Sequence, residues 1–190
     1  MIARLVATFA YVAAALLAAA GTHVALVLFG AGALRDRAFG DVRALAPLGT
    51  PVAAPAPTSS GGPFATRDPA TSVAVCRYDL AQGPMRIVAT FQPGDLGALS
   101  FHDSGGDVYF ALNDGAAADR RLAAVVGTAE QLKSLAQSDA PGALAPELRL
   151  EAPSPQGFAL ARAIGEADRD APAGGAALAA LKCGPAATRP

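Results

Sequence analysis

Hydrophobic and polar positions divide this chain into an apolar run, a proline-broken stretch and an alternating region. From Leu5 to Leu34, about thirty residues pass without one Asp, Glu, Lys or Arg. A helix needs roughly twenty apolar residues to cross a bilayer core, so the run predicts a single N-terminal transmembrane helix. At about 1.5 Å per residue it would measure about 45 Å, against a hydrocarbon core of about 30 Å. It must tilt, or its last turns must leave the membrane. Ala10, Ala14, Ala18, Gly21 and Ala25 share one helical face; such spacing permits close packing in lipid, and alanine-rich composition explains it equally well. His23 is the one side chain in the run that can carry a charge near neutral pH, a candidate for a specific role whose depth depends on where the span ends. Small residues at Ala18-Ala19-Ala20 would suit signal-peptide cleavage, but the run continues through Phe29, which favours an uncleaved anchor.

After the anchor and its flank (residues 1–43), residues 44–71 read as a tether. Pro47, Pro51, Pro55, Pro57, Pro63 and Pro69 interrupt any helix, and Ser59-Ser60-Gly61-Gly62 adds freedom.

Residues 72–190 form the soluble domain. Val73 to Leu80 alternates, with Cys76, Tyr78 and Leu80 on one face and Val75, Arg77 and Asp79 on the other. A turn signal at Ala81-Gln82-Gly83-Pro84 leads into Met85–Phe91, where Met85, Ile87, Ala89 and Phe91 share a face. These patterns predict a hairpin that pairs Leu80 with Met85 and sets Asp79 opposite Arg86. A second hairpin is predicted from Leu96–His102 and Asp107–Leu112 around Asp103-Ser104-Gly105-Gly106. Its register sets Phe101 against Val108, Leu99 against Phe110, His102 against Asp107 and Ser100 against Tyr109. A strand at Leu122–Val126 follows, then a helix at Ala129–Gln137 opened by a capping box, Thr128 with Gln131. Pro141 and Pro146 bound a loop. Leu148–Glu151 and Phe158–Ile164 read as strands and Ala173–Lys182 as a short helix. The expected fold is mainly β (α+β): an antiparallel sandwich with one or two short helices.

Composition narrows the function. The chain has 15 basic and 16 acidic residues, a balance that suggests neither nucleic acid nor an anionic surface as partner. Trp is absent and only two His occur, so no metal-ligand set can be assembled, and no phosphate-binding or dinucleotide-binding loop is present. No cofactor is indicated. Cys76 and Cys183 are the only cysteines, so an oxidising compartment offers one possible disulfide. In the cytosol they would be two buried thiols.

The residues Ala74-Val75-Cys76-Arg77-Tyr78-Asp79-Leu80, then Gly83-Pro84, resemble bacterial proteins of the domain-of-unknown-function 1254 family. So do Tyr109-Phe110-Ala111-Leu112-Asn113-Asp114 and Val125-Val126-Gly127-Thr128. The resemblance covers roughly Pro69 to Cys183 and is nearest to short, membrane-anchored members. It implies an envelope location and a β-rich domain. Larger members carry a second domain, of the 1214 type, so a separate chain carrying that domain is an implied partner. The resemblance implies no activity and no catalytic residues. Where relatives have an aromatic-rich strand, this chain has Gly97-Ala98-Leu99-Ser100-Phe101.

The side of the membrane is contested within the sequence. Arg35, Arg37 and Arg43 follow the run and only Arg4 precedes it, which by the positive-inside rule would leave the domain in the cytoplasm. The cysteine pair and the Pro-rich stretch point the other way. The balance places the protein in a bacterial inner membrane, single-pass, with the domain in the periplasm.

Two readings follow. One is a non-catalytic envelope module that binds a partner protein. The other is an enzyme or small-ligand binder with a polar site from His102, Asp107, Tyr109, Arg77 and Arg86. His102 with Asp107 would be an acid–base pair, or an exposed polar pair across the hairpin. Asp103-Ser104-Gly105-Gly106 matches the nucleophile loop of chymotrypsin-like proteases, but a hairpin turn explains it fully. A concave site where several of the five converge separates the readings.

Overall fold

The computed structural model describes residues 1–55, 71–116, 119–139, 147–164 and 180–186, with the backbone alone described for 31–38. Residues 1–37 and 38–190 form two compact units. In the first, helix α1 (Ile2–Leu45 in full) contains a segment, Ile2–Gly30, with a mean hydropathy of 2.2, long and apolar enough to cross a membrane.

The second unit is a two-sheet sandwich. Its five-stranded sheet has the order β1 (Val52–Ala53), β2 (Thr71–Asp79), β8 (Gln156–Ile164), β4 (Leu96–Asp103), β5 (Val108–Asn113). The four-stranded sheet runs β7 (Leu148–Glu151), β6 (Arg121–Gly127), β3 (Met85–Thr90), β9 (Leu181–Pro185). All described pairings are antiparallel except β6 with β7. The core lies between the sheets. Cys76, Tyr78 and Leu80 meet Ile87, Ala89 and Phe91, with Leu99, Phe101, Leu122, Val126 and Leu181 filling the same layer. The expected α+β sandwich is what the chain forms.

The first predicted hairpin is corrected. β2 pairs with β8, and β3 pairs with β6 and β9, so the two strands lie in opposite sheets. A 3-10 turn at Leu80–Gln82 carries the chain across the sandwich. Asp79 caps it by accepting from the Ala81 N–H at 3.0 Å, and Gly83 leaves it at φ 113°, a left-handed value that favours glycine. Leu80 and Met85 therefore do not pair, and Asp79 does not face Arg86. Asp79 instead accepts from Gln156, its register partner on β8, at 2.8 Å.

The second hairpin exists in a shifted register. Phe101 faces Phe110, Leu99 faces Leu112, Ser100 faces Ala111 and His102 faces Val108, with an irregularity between Phe101 and His102. The Asp103 carboxylate shapes the turn by accepting from the N–H groups of Gly105 and Asp107.

Helix α2 (Ala129–Gln137) forms with its capping box complete. The Pro141–Pro146 loop lies outside the described residues. So does most of the predicted C-terminal helix, 173–179; the rest is corrected, because Leu181 and Lys182 lie in β9 and Cys183 faces Ile87 there. An edge strand beside β3 lets Cys183 reach the core, which the helix reading did not foresee.

The first part of the expected tether, residues 46–54, is packed on the domain instead. Ala46 accepts no freedom: its N–H donates to Val42 and it is buried. Leu48 bridges Arg77, and β1 pairs Val52 and Ala53 with Val75 and Ala74. Residues 56–70 lie outside the described set. The end of α1 packs on the outer face of the five-stranded sheet, where Val42 and Ala54 bury against Val73, Val75, Phe158 and Leu160.

Candidate functional site

The outer face of the five-stranded sheet carries a row of three side chains set by strand register. Phe158 on β8 faces Arg77 on β2 on one side and His102 on β4 on the other. Strand alternation dictates that directly opposite residues share a face. The His102 ring stacks on Phe158 at 4.5 Å with an interplanar angle of 8°, and Phe39 stacks on Phe158 at 6.2 Å.

Ser100, two residues before His102, shares its face. Ser100 Oγ lies 3.0 Å from His102 Nε2, and His102 Nδ1 lies 3.1 Å from the Gly106 carbonyl. A carbonyl only accepts, so Nδ1 carries the proton and Nε2 accepts from the Ser100 hydroxyl. Both residues are 7% exposed. Burial holds the His102 pKa below its ordinary 6.5; the Gly106 bond opposes that shift, and the Arg162 charge adds to it.

A serine hydroxyl on an imidazole whose other nitrogen is fixed is the core of a nucleophilic couple. It also needs access for a carbonyl carbon and donors for an oxyanion. Two shallow depressions on the described surface measure about 400 Å³ and about 370 Å³. Neither is lined by Ser100 or His102. At 7% exposure each, the couple is a buried polar pair that satisfies itself and fastens the turn to β4.

The remaining candidates disperse. Tyr109 turns toward the core, with its hydroxyl 3.0 Å from that of Tyr78, which in turn donates to the His102 carbonyl at 3.1 Å. Burial raises the pKa of both phenols. Asp107 sits in the turn, its carbonyl accepting from the Asp103 N–H and its own N–H donating to the Asp103 carboxylate, and Val108 takes the place opposite His102. The turn itself sets this register through the Asp103–Asp107 backbone bond, which leaves Val108 opposite His102, and the irregularity lies beyond that pair. Arg77 Nε is buried and has no hydrogen-bond partner among the described residues.

Arg86 lies on the outer face of the other sheet. It donates through Nε and Nη2 to Glu147, and Arg121 stands 4.0 Å from the same carboxylate. The Glu147 bond raises the pKa of Arg86. Lys182 lines the 400 Å³ depression with Arg86 and Arg121. Arg149, paired through Val125 to the same row as Arg86, bonds Asp139 at 2.5 Å. Four basic side chains and two carboxylates therefore share this face, in a domain whose sequence from Phe64 onward holds 11 basic and 14 acidic residues. The five predicted residues do not form one concave site.

No family model matches the chain, and no curated protein matches it. Among solved structures, the VPA0106 protein from Vibrio parahaemolyticus is similar over 83% of this chain, with a TM-score of 0.53 and 14% identity. A putative uncharacterised protein from Burkholderia cenocepacia aligns over 78% of it, with a TM-score of 0.44 and 12% identity. At such identity the Vibrio protein shares the fold alone. The chain covers 36% and 38% of those two chains, so it spans little more than a third of their length.

Sequence reasoning missed Ser100 as the partner of His102. The signal was present: a spacing of two on one strand places both side chains on the same face. Glu147 was missed as well, because it joins Arg86 across 61 residues and no local pattern reports such a contact.

Proposed function

We propose that this chain is a membrane-anchored, non-catalytic binding module of the bacterial cell envelope, with its sandwich on the periplasmic side of the inner membrane. The observation that carries the reading is the dispersal of the polar candidates. His102, Tyr109 and Ser100 are occupied by hydrogen bonds inside the domain, and Arg86 and Arg149 by Glu147 and Asp139, while among the described residues Arg121 and Lys182 stay exposed on the outer face of the four-stranded sheet. A disulfide between Cys76 and Cys183 supports an oxidising compartment.

The partner in this reading is a protein whose acidic surface meets Arg86, Arg121, Arg149 and Lys182. A chain carrying a 1214-type domain, implied by the family resemblance, is the first candidate. Complementary charge across such a flat face sets orientation and encounter rate.

Alkaline phosphatase fused after Pro190 should be active in cells; an inactive fusion would overturn the location. A photo-crosslinking residue at Thr90, within the basic depression, should capture a 1214-type chain from the envelope. The combined Arg121→Glu and Lys182→Glu change should abolish that adduct. No adduct from a correctly localised protein would reject the partner.

A further inference from the structure

An edge strand presents a row of unpaired N–H and C=O groups that another chain can use as a template, and proteins usually block such edges. Among the described residues the two sheets have four edge strands, and three of them are blocked. β1 is two residues long. β7 has four residues and carries Arg149 and Glu151. β9 carries Lys182 and Pro185, and proline brings no N–H. β5, Val108–Asn113, differs from all three: six residues without a charge or a proline. Its irregularity lies at the Val108 end, leaving Phe110–Asn113 in regular register with β4. The core is also incompletely closed there. Phe110 and Leu112 face inward but are only partly buried, whereas their β4 partners Phe101 and Leu99 are 0% exposed.

We propose that β5 is a self-association edge, on which a second copy of this chain lays its own β5 antiparallel, joining the two five-stranded sheets into one. The occupant is a second copy because the strand is self-complementary. Facing residues in an antiparallel pair lie on the same side of the sheet, so a two-fold axis must pass through a residue rather than between two. Centred on Ala111, which is exposed, the axis sets Phe110 against Leu112 of the second copy and Leu112 against its Phe110. The half-exposed core residues are thereby covered. Regular pairing is confined to this central part, since the irregularity precedes Phe110 and a 3-10 turn, Asp114–Ala116, follows Asn113. The register that would oppose Asp107 and Asp114 runs the axis between residues 110 and 111. It is excluded because it would set core-facing side chains against solvent-facing ones.

One strand pair buries less than the roughly 1,200 Å² of a stable free complex. The inference therefore rests on the reading of α1 as a membrane anchor, which confines copies and raises their effective concentration.

The test uses the full-length chain in lipid vesicles. The two native cysteines are bonded to each other, so one added cysteine is the only free thiol. Under mild oxidation Ala111→Cys should crosslink to a dimer about tenfold more than Lys133→Cys on exposed α2. Energy transfer between labelled copies should fall about tenfold in Ala111→Lys, which places two like charges on the axis without touching the core. Equal crosslinking of both cysteine variants would overturn the proposal. So would energy transfer that survives Ala111→Lys, since that outcome assigns association to α1 or another face. Carbonate extraction of the same vesicles reports the anchor separately: chain released by carbonate would overturn the anchor reading and with it the membrane-assisted dimer.

Discussion

Cys76 on β2 and Cys183 on β9 join the two sheets of the sandwich, their Cα atoms 6.6 Å apart. The bond ties a fully buried core position to the edge of the opposite sheet and closes a loop of 107 residues in sequence. In the chain-entropy account a loop of that size contributes about 4–5 kcal/mol. Replacing both cysteines by serine also buries a hydroxyl at position 76. The double variant should lose about 3–5 kcal/mol, read as a lower denaturation midpoint of the full chain in detergent micelles. An unchanged midpoint would show that the bond constrains nothing in the unfolded state.

How much of this was legible beforehand differs by level. Alternation reported faces correctly: Cys76, Tyr78 and Leu80 point inward, as do Ile87, Ala89 and Phe91. It could not report neighbours. Two apolar faces joined by a short turn fit a hairpin side by side or an arch between stacked sheets, and both bury the same residues. The arch is decided by β8, which pairs with β2 from across half the chain. The polar site failed for a related reason. Arg77 and Arg86 share a neighbourhood only if β2 and β3 form a hairpin, and those strands lie in opposite sheets. The disulfide was legible because two cysteines permit a single pairing.

Gly157 on β8 leaves no room for a side chain. A Cβ there would collide with the His102 carbonyl oxygen and the Tyr78 hydroxyl. Those two atoms are bonded to each other at 3.1 Å, so the methyl would both overpack the site and break a buried hydrogen bond. Gly157→Ala should cost about 2–4 kcal/mol. Tyr78→Phe, which removes only the hydroxyl, should cost about 1–2 kcal/mol. Chemical denaturation separates the two, and a glycine variant no worse than Tyr78→Phe would reject the steric account.

Val42, at the end of α1, is 2% exposed against Val73, Val75, Phe158 and Leu160. These apolar residues occupy the outward face of β2 and β8, so the helix end is what keeps them from water. Val42→Ala should cost about 1–3 kcal/mol by cavity formation. Val42→Asp should also expose the underlying face, measured as increased binding of a hydrophobic dye. Normal stability in both variants would mean that the helix end is not needed to cover the sheet.

The Ser100–His102 couple makes a prediction about acid. Burial lowers the His102 pKa below 6.5 in the folded protein. The unfolded chain then binds the proton more readily than the folded one, so this group lowers stability as pH falls below about 6.5. The loss levels off below the folded pKa, and above pH 6.5 the group contributes no slope. Charging need not break the couple: Ser100 Oγ is also 3.4 Å from the Leu160 carbonyl, so it can accept from Nε2–H while donating there. The cost is therefore one of burying charge beside Arg162, with Asp103 opposing it. His102→Phe keeps a ring on Phe158 and removes the titration. The difference in stability between native chain and variant should shrink from pH 7 to pH 5. A constant difference across that range would show that His102 does not titrate differently on folding.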